Sequence, residues 1–219
     1  MKKYIIIIFI ATISSGSFAQ FGVQAGLTVA SIKIDGQTGS TSTLTTSSKI
    51  GLTIGVLIDV PVSNMITFQP ALNYTQKGGK VTSKYTSGSS DEDIWTINNL
   101  EVPLNIIYKA TGGFFVGAGP ALSYAVSGTQ KYTSTSVGGP GGSGTQSGEE
   151  KAYFGDGGFK RLEFSGNLLA GYQLSNGLFV SINYNMGLNN ILEATESWKN
   201  RYFGFRVGKK FGNAMMRKQ

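Results

Sequence analysis

From Ile50 to Val60 the chain alternates strictly. Ile50, Leu52, Ile54, Val56, Ile58 and Val60 fall on one side, and Gly51, Thr53, Gly55, Leu57 and Asp59 on the other. A period of two is the mark of a β-strand with two unlike faces. The pattern recurs in eight runs. The first carries Phe21, Val23, Ala25, Leu27 and Val29 on its apolar side, and the third Ile66, Phe68, Leu72 and Tyr74. The fourth sets Leu100, Val102, Leu104, Ile106 and Tyr108 against Asn99, Glu101, Pro103, Asn105 and Ile107. The sixth carries Leu162, Phe164, Leu168 and Tyr172; the seventh Leu178, Val180, Ile182, Tyr184, Met186 and Leu188; the last Phe203, Phe205, Val207 and Phe211.

The fifth run, TGGFFVGAGPALSYAV (Thr111 to Val126), admits a second reading, because its glycines resemble a phosphate-cradling loop. A dinucleotide fingerprint needs a third glycine and a following helix. Leu122 stands where that glycine belongs, while Phe114, Val116, Ala118, Pro120, Leu122, Tyr124 and Val126 form one face of a strand. The segment is therefore read as a barrel wall. Pro70, Pro103 and Pro120 sit inside three successive runs. Proline removes a ladder hydrogen bond, so bulges or weakly paired spots are expected there.

The connections alternate in length. Lys33 to Ser48, Gly78 to Asp93, Ser127 to Gly158 and Asn189 to Asn200 are long and rich in Ser, Thr and Gly. Pro61 to Asn64, Lys109 to Gly112 and Leu174 to Asn176 are tight. The third long connection holds the low-complexity stretch SVGGPGGSGTQSGEE, expected to be mobile. Each run reaches the ~9–11 residues that carry a tilted strand across a bilayer.

Alternation does not say which face is inside. A soluble barrel would bury the apolar face and carry many Lys and Glu on the other. Here the second face is mostly Gly, Ala, Ser, Thr and Asn, sizes that suit the narrow interior of an eight-stranded barrel. The expected fold is all-β: an eight-stranded antiparallel up-and-down transmembrane β-barrel with short periplasmic turns and long extracellular loops. An aromatic girdle is expected at each membrane interface. Tyr108, Phe114, Tyr172 and Phe211, with Phe21, fall near the short-turn end, and Tyr74, Tyr124, Tyr184 and Phe203 near the loop end.

The N-terminus has the parts of an export signal: Lys2 and Lys3, the apolar run Tyr4 to Thr12, and Ser17-Phe18-Ala19 as a small-x-small cleavage site. A retained anchor is the alternative, but the run is short of the ~20 residues of a spanning helix. The expected organisation is a signal peptide over 1–19, an outer-membrane barrel over 20–212 and a short tail over 213–219. The chain of 219 residues contains no cysteine and no histidine. Ser-His-Asp, Cys-His and His-ligated zinc chemistry therefore cannot be assembled from it. Charged residues make up only 14%, against ~25% in ordinary soluble domains. The formal charge of +7 falls to +5 once Lys2 and Lys3 leave. Such a balance suits nucleic acid or anionic lipid, and export argues against the former.

The charges expected on the lumen face are Asp59, Glu101, Lys109, Arg161, Glu163 and Arg206, with Lys77 near the loop end. Buried charges need partners, so Glu101 and Glu163 are expected to be neutralised by Arg206, together with Arg161. Such a network is either a structural plug or the lining of a narrow pore. A carboxylate pair for acid–base chemistry lacks a nucleophile or a substrate pocket beside it. Asp91, Glu92 and Asp93 lack the alternation of a calcium loop and are read as a solvated tip rather than a cation site. Lys80, Lys84, Lys160, Lys199 and Arg201 lie where lipid phosphates would be met.

LEVPLNIIYKA followed by FFVGAGPALSYAVSG resembles the signature of the small outer-membrane β-barrel family common in Bacteroidota, often described as porin-family or PorT-like. GVLIDVPVSNMITFQPALNYTQKGGK, GNLLAGYQLSNGLFVSINYNMGLNNI and NRYFGFRVGKKF continue the likeness over almost the whole mature chain. The resemblance implies a fold and an outer-membrane location, not a reaction. The expected function is a non-enzymatic barrel with a side-chain-filled lumen, acting structurally or through its loops; the alternative is a small or gated pore. No catalytic residue, metal or cofactor is expected. The expected partners are outer-membrane lipid and lipopolysaccharide, the barrel-assembly machinery during insertion, and an extracellular ligand at the loops. No nucleic-acid partner is expected, and the barrel is expected to be a monomer.

Overall fold

The computed structural model describes residues 19–35, 42–139, 142–192 and 197–212. The expected signal, apart from Ala19, and the expected tail lie outside them. Ten strands follow one another: β1 (Gln20–Asp35), β2 (Ser42–Ser47), β3 (Lys49–Pro61), β4 (Ile66–Tyr85), β5 (Ser90–Lys109), β6 (Phe114–Gly139), β7 (Gly142–Lys151), β8 (Leu162–Gln173), β9 (Leu178–Gly187) and β10 (Ser197–Phe211). Eight of these close a ring in the order β1–β3–β4–β5–β6–β8–β9–β10, each antiparallel to the next. The first and last strands seal it, in register from Phe21↔Phe211 to Asp35↔Ser197. Closure leaves the ring without an edge, the condition for a sheet to cross hydrocarbon.

The alternation sets the two faces as the sequence predicts. Ile50, Leu52 and Ile54 are 69%, 58% and 62% exposed on the outside, while Thr53, Leu57 and Asp59 of the same strand are buried inside. Exposed apolar side chains continue around the ring through Ile106, Leu168, Ile182 and Phe205. A continuous apolar belt of this kind has no place in water; it fits the hydrocarbon of a bilayer.

Inside, small wall residues make room for large ones. A Cβ on Gly171 would collide with the ring of Phe115, one on Gly208 with that of Phe179, and one on Gly117 with Ile107. The short turns lie at the end where the ring strands start and finish. Gly113 and Gly177, at φ 93° and 84°, give two of them the left-handed backbone they need.

Two expectations are corrected. Gly78 to Asp93 is not an open loop: β4 and β5 stay paired as far as Lys84↔Ser90. The low-complexity stretch, expected to be mobile, is a hairpin whose β6 and β7 pair from Thr129↔Lys151 to Gly139↔Gly142; Pro140 and Gly141 lie outside the described residues. With β2 paired on β4, these strands raise a sheet above one side of the ring. Serine, threonine and glycine give no hydrophobic alternation to read. The register here rests on turn geometry and on cross-strand pairs such as Lys80–Glu92 at 2.6 Å, Lys131–Glu149 at 3.5 Å and Thr135–Thr145 at 3.3 Å.

The prolines interrupt the ladder without shifting it. Pairing lapses between Leu57↔Ala71 and Val60↔Phe68, between Pro70↔Leu104 and Asn73↔Glu101, and between Pro103↔Ala121 and Ile106↔Ala118, and resumes in the same register each time. Each lapse lies on the side of the preceding strand, where the missing N–H would have served. The bulge in β5–β6 falls elsewhere, at Asn98/Asn99.

Candidate functional site

The lumen face of β4 places Lys77 in the middle of the barrel, with its ammonium fully buried. Nζ lies 2.8 Å from Glu101 of β5 and 3.2 Å from Glu163 of β8. It also donates to Ser123 Oγ of β6 at 2.9 Å and sits 5.5 Å from the centre of the Tyr202 ring. From β10, opposite β5 in the ring, the Tyr202 hydroxyl donates to Glu101 at 2.6 Å and accepts from Arg206 at 3.1 Å. Arg206 itself stands 3.8 Å from Glu101. Asn200 donates to the other Glu163 oxygen at 2.8 Å. Two carboxylates and two cations thus balance among buried side chains, and the cluster reaches from β5 to β10 across the whole lumen.

A second group lies toward the short turns. Lys109 and Lys210 each approach Asp59 Oδ2 at 2.8 Å, and Gln69 donates to Oδ1 at 2.6 Å. Lys210 also lies 5.4 Å and 5.3 Å from the centres of the Phe115 and Phe179 rings, a pair of cation–π contacts. Those rings join Leu57, Ala71 and Ile107 in a buried apolar layer. Amides bridge the space between the groups: Asn167 to Asn105 at 2.9 Å, Asn183 to Asn167 at 3.2 Å and Gln24 to Asn73 at 2.7 Å. The cavity left there, lined by Gln24, Asn105, Asn183 and Arg206 among others, has a volume of about 10 Å³. That is about the room of one water molecule.

The structure brings together Glu101, Glu163 and Arg206 and leaves Arg161 out. The Arg161 guanidinium donates to the Ala125 carbonyl at 2.9 Å and stacks 4.6 Å from the Phe154 ring. It stands just before β8 begins, at the loop end, and Lys77 occupies the place between the carboxylates. Sequence reasoning set Lys77 at the loop end and did not single out Tyr202 or Lys210. Even spacing from Arg206 puts both Tyr202 and Lys210 on the lumen face, a signal that was available.

All eight girdle residues lie on strand faces turned away from the lumen. At the turn end Phe114 meets Tyr172 at 4.8 Å between ring centres; at the loop end Tyr184 meets Phe203 at 4.7 Å. Tyr108 is opposite Ile66, Phe211 opposite Phe21, and Tyr74 and Tyr124 flank Leu100 in one row. The acidic tip does not converge. Asp91 accepts from Ser134 and, at 2.9 Å, from Tyr85, whose bond to the carboxylate pushes its phenol above the ordinary pKa. Asp93 accepts from Gln130 at 2.7 Å, whereas Glu92 pairs with Lys80. Among the described residues no three acidic side chains are grouped to hold a cation.

Several solved structures are similar to the chain. Neisserial surface protein A is 12% identical, with 88% of this chain and 99% of that one covered and a TM-score of 0.45. Ail, the attachment invasion locus protein of Yersinia pestis, is 11% identical over 89% and 99%, at 0.44. The outer membrane protein OprG of Pseudomonas aeruginosa is 12% identical over 90% and 97%, at 0.43. No curated protein matches. The model of the outer membrane protein beta-barrel domain matches residues 13–193. With a closed eight-stranded ring, an apolar exterior and that match, the chain belongs to the outer membrane protein beta-barrel domain family and resides in the outer membrane of a Gram-negative bacterium.

Proposed function

We propose that this barrel is non-enzymatic, that its lumen is filled rather than conducting, and that it acts at the cell surface through the sheet raised by β2, β4, β5, β6 and β7. The carrying observation is the Lys77–Glu101–Glu163–Tyr202–Arg206 cluster, whose side chains reach across the ring from β5 to β10. Eight strands enclose little more than their own side chains. The carboxylates are held by cations and hydroxyls, so neither serves as a free acid or base. With no histidine or cysteine in the chain, no nucleophile is activated beside them. Among small barrels of this family the quoted motifs support a PorT-like, porin-type assignment. The proposed surroundings are outer-membrane lipid and lipopolysaccharide against the belt, the barrel-assembly machinery during insertion, and an extracellular ligand at the raised sheet, with the barrel a monomer.

A second reading, a small gated pore, draws on a different observation. Buried polar atoms of Asn73, Asn183, Asn185, Asn200 and Arg206 have no protein partner, and such groups call for water. A wet lumen is the start of a path. Single-channel recording of the refolded, signal-free protein in a planar bilayer separates the two. The proposal expects a silent membrane from protein that shows the heat-dependent gel shift of a closed barrel. Reproducible steps, altered by Glu101→Gln or Arg206→Ala, would establish the pore.

A further inference from the structure

The loop end of the lumen is closed by something other than the barrel wall. Between β7 and β8 the chain from Ala152 to Arg161 folds over the mouth, and Phe159 from this segment is 4% exposed. Its ring meets Trp95 of β5 at 4.9 Å and Trp198 of β10 at 6.3 Å. Those two strands stand four places apart in the ring in either direction, so one side chain spans the opening from wall to opposite wall. Ile97, Ala125, Ala152 and Ile191 complete an apolar layer around it. Directly beneath lies a cavity of about 10 Å³, lined by Phe159, Asn99, Ala125, Glu163 and Asn200 among others. Phe159 therefore separates solvent from the carboxylate of the central cluster.

The segment carries bonds of its own that keep its shape, and its seal is a single ring. Gly155 N–H donates to the Phe159 carbonyl, Phe159 N–H to the Tyr153 carbonyl and Gly158 N–H to the Gly155 carbonyl. Gly155 and Gly157 take φ of 126° and 79° within it. These bonds travel with the segment. Across the mouth, Lys160 N–H donates to the Ile191 carbonyl at 2.8 Å. The segment's two ends are tied to β6, by Ala152 N–H to the Gly128 carbonyl and Ala125 N–H to the Arg161 carbonyl, while the Phe159 ring between them is held by edge-on aromatic contact, which carries no directional bond.

We infer that Ala152–Arg161 is an extracellular stopper, with Phe159 as the apolar seal between outside water and the small cavity above Glu163. This rests on the barrel orientation of the proposed function but not on whether the lumen conducts. An apolar seal over a buried carboxylate excludes ions while it is seated and admits them when it lifts. The wall below needs no rearrangement for that cavity to open.

The chain contains no cysteine, so single introduced thiols report access without background. Ala125→Cys lies beneath Phe159, Ala121→Cys lies one step past Ser123 on the turn side of the cluster, and Ser147→Cys marks the exposed sheet. Each is refolded into phosphatidylcholine vesicles and treated with a membrane-impermeant cationic thiosulfonate. Ser147→Cys calibrates the outward-facing fraction, and the heat-dependent gel shift checks closure. Ala125→Cys is expected to react at least about tenfold faster with Phe159→Ala than with the native ring, a factor equivalent to ~1.4 kcal/mol. Phe159→Trp is expected to restore the slow rate. Should Phe159→Ala fail to close, Trp95→Ala unseats the ring from the opposite wall and carries the same expectation. Equal rates with and without the seal would overturn the inference. Ala121→Cys addresses the filled lumen separately: it stays slow in every background if the central cluster blocks the way, and reacts with the seal removed if it does not.

Discussion

Lys77 carries the electrostatics of the central cluster, because it is the cation within 3.2 Å of both of that cluster's carboxylates. Removing one member of a buried ion pair leaves an uncompensated charge, at a cost of about 3–5 kcal/mol. Lys77→Met is expected to lower unfolding stability by that amount, read from tryptophan fluorescence in a urea titration of the folded, detergent-bound protein. Combining it with Glu101→Gln should recover part of the loss, since the second change removes one of the stranded charges. A Lys77→Met protein as stable as the parent would show that Arg206 and the hydroxyls suffice. At this scale the sequence was half readable. Period-two counting put Glu101, Glu163 and Arg206 on one face, and the absence of other chemistry made them stand out. It could not rank Lys77 above Arg161. That choice depends on β4 continuing straight through Gly78 and Gly79, and on β8 starting only at Leu162. Tyr202 was overshadowed by its neighbour Phe203, whose ring points the other way.

Among the elements, the ring strands and the raised sheet are held by different forces. Ring strands bury one face in the lumen and give the other to lipid, so their alternation is strong and visible. The upper halves of β6 and β7 are mostly exposed on both faces, and a hairpin with no core to pack on adds little stability. Deleting Thr133 to Ser147 and rejoining the strands with a two-residue turn is therefore expected to leave the barrel intact. The heat-dependent gel shift should persist at the parent temperature to within a few degrees. Loss of the shift would mean that the hairpin helps to close the ring. The same contrast explains why the eight wall strands were legible and the extensions were not. Thr, Ser and Gly repeat without an apolar period, so a paired strand and an open loop look alike in such sequence. The prolines were legible as weak points, but the outcome was a lapse in pairing rather than a bulge. Proline removes only the donor on one side, and the neighbouring strand keeps the register.

As a whole the molecule is inverted relative to a soluble protein: its apolar side chains are outside and its amides and charges within. Two layers divide the lumen, the Phe115–Phe179 layer toward the turns and the Phe159 layer at the loop end, with the ion cluster and the amides between them. Everything inferred about location and closure depends on that inversion. It is tested most directly by walking a small fluorophore along β3, through single cysteines from Leu52 to Val60, in vesicles containing brominated lipid. Labels at Leu52, Ile54, Val56, Ile58 and Val60 should be quenched strongly, and those at Thr53, Gly55, Leu57 and Asp59 weakly, in strict alternation. Uniform quenching, or strong quenching at the second set, would contradict a barrel that turns its apolar face to lipid and keeps its charges inside.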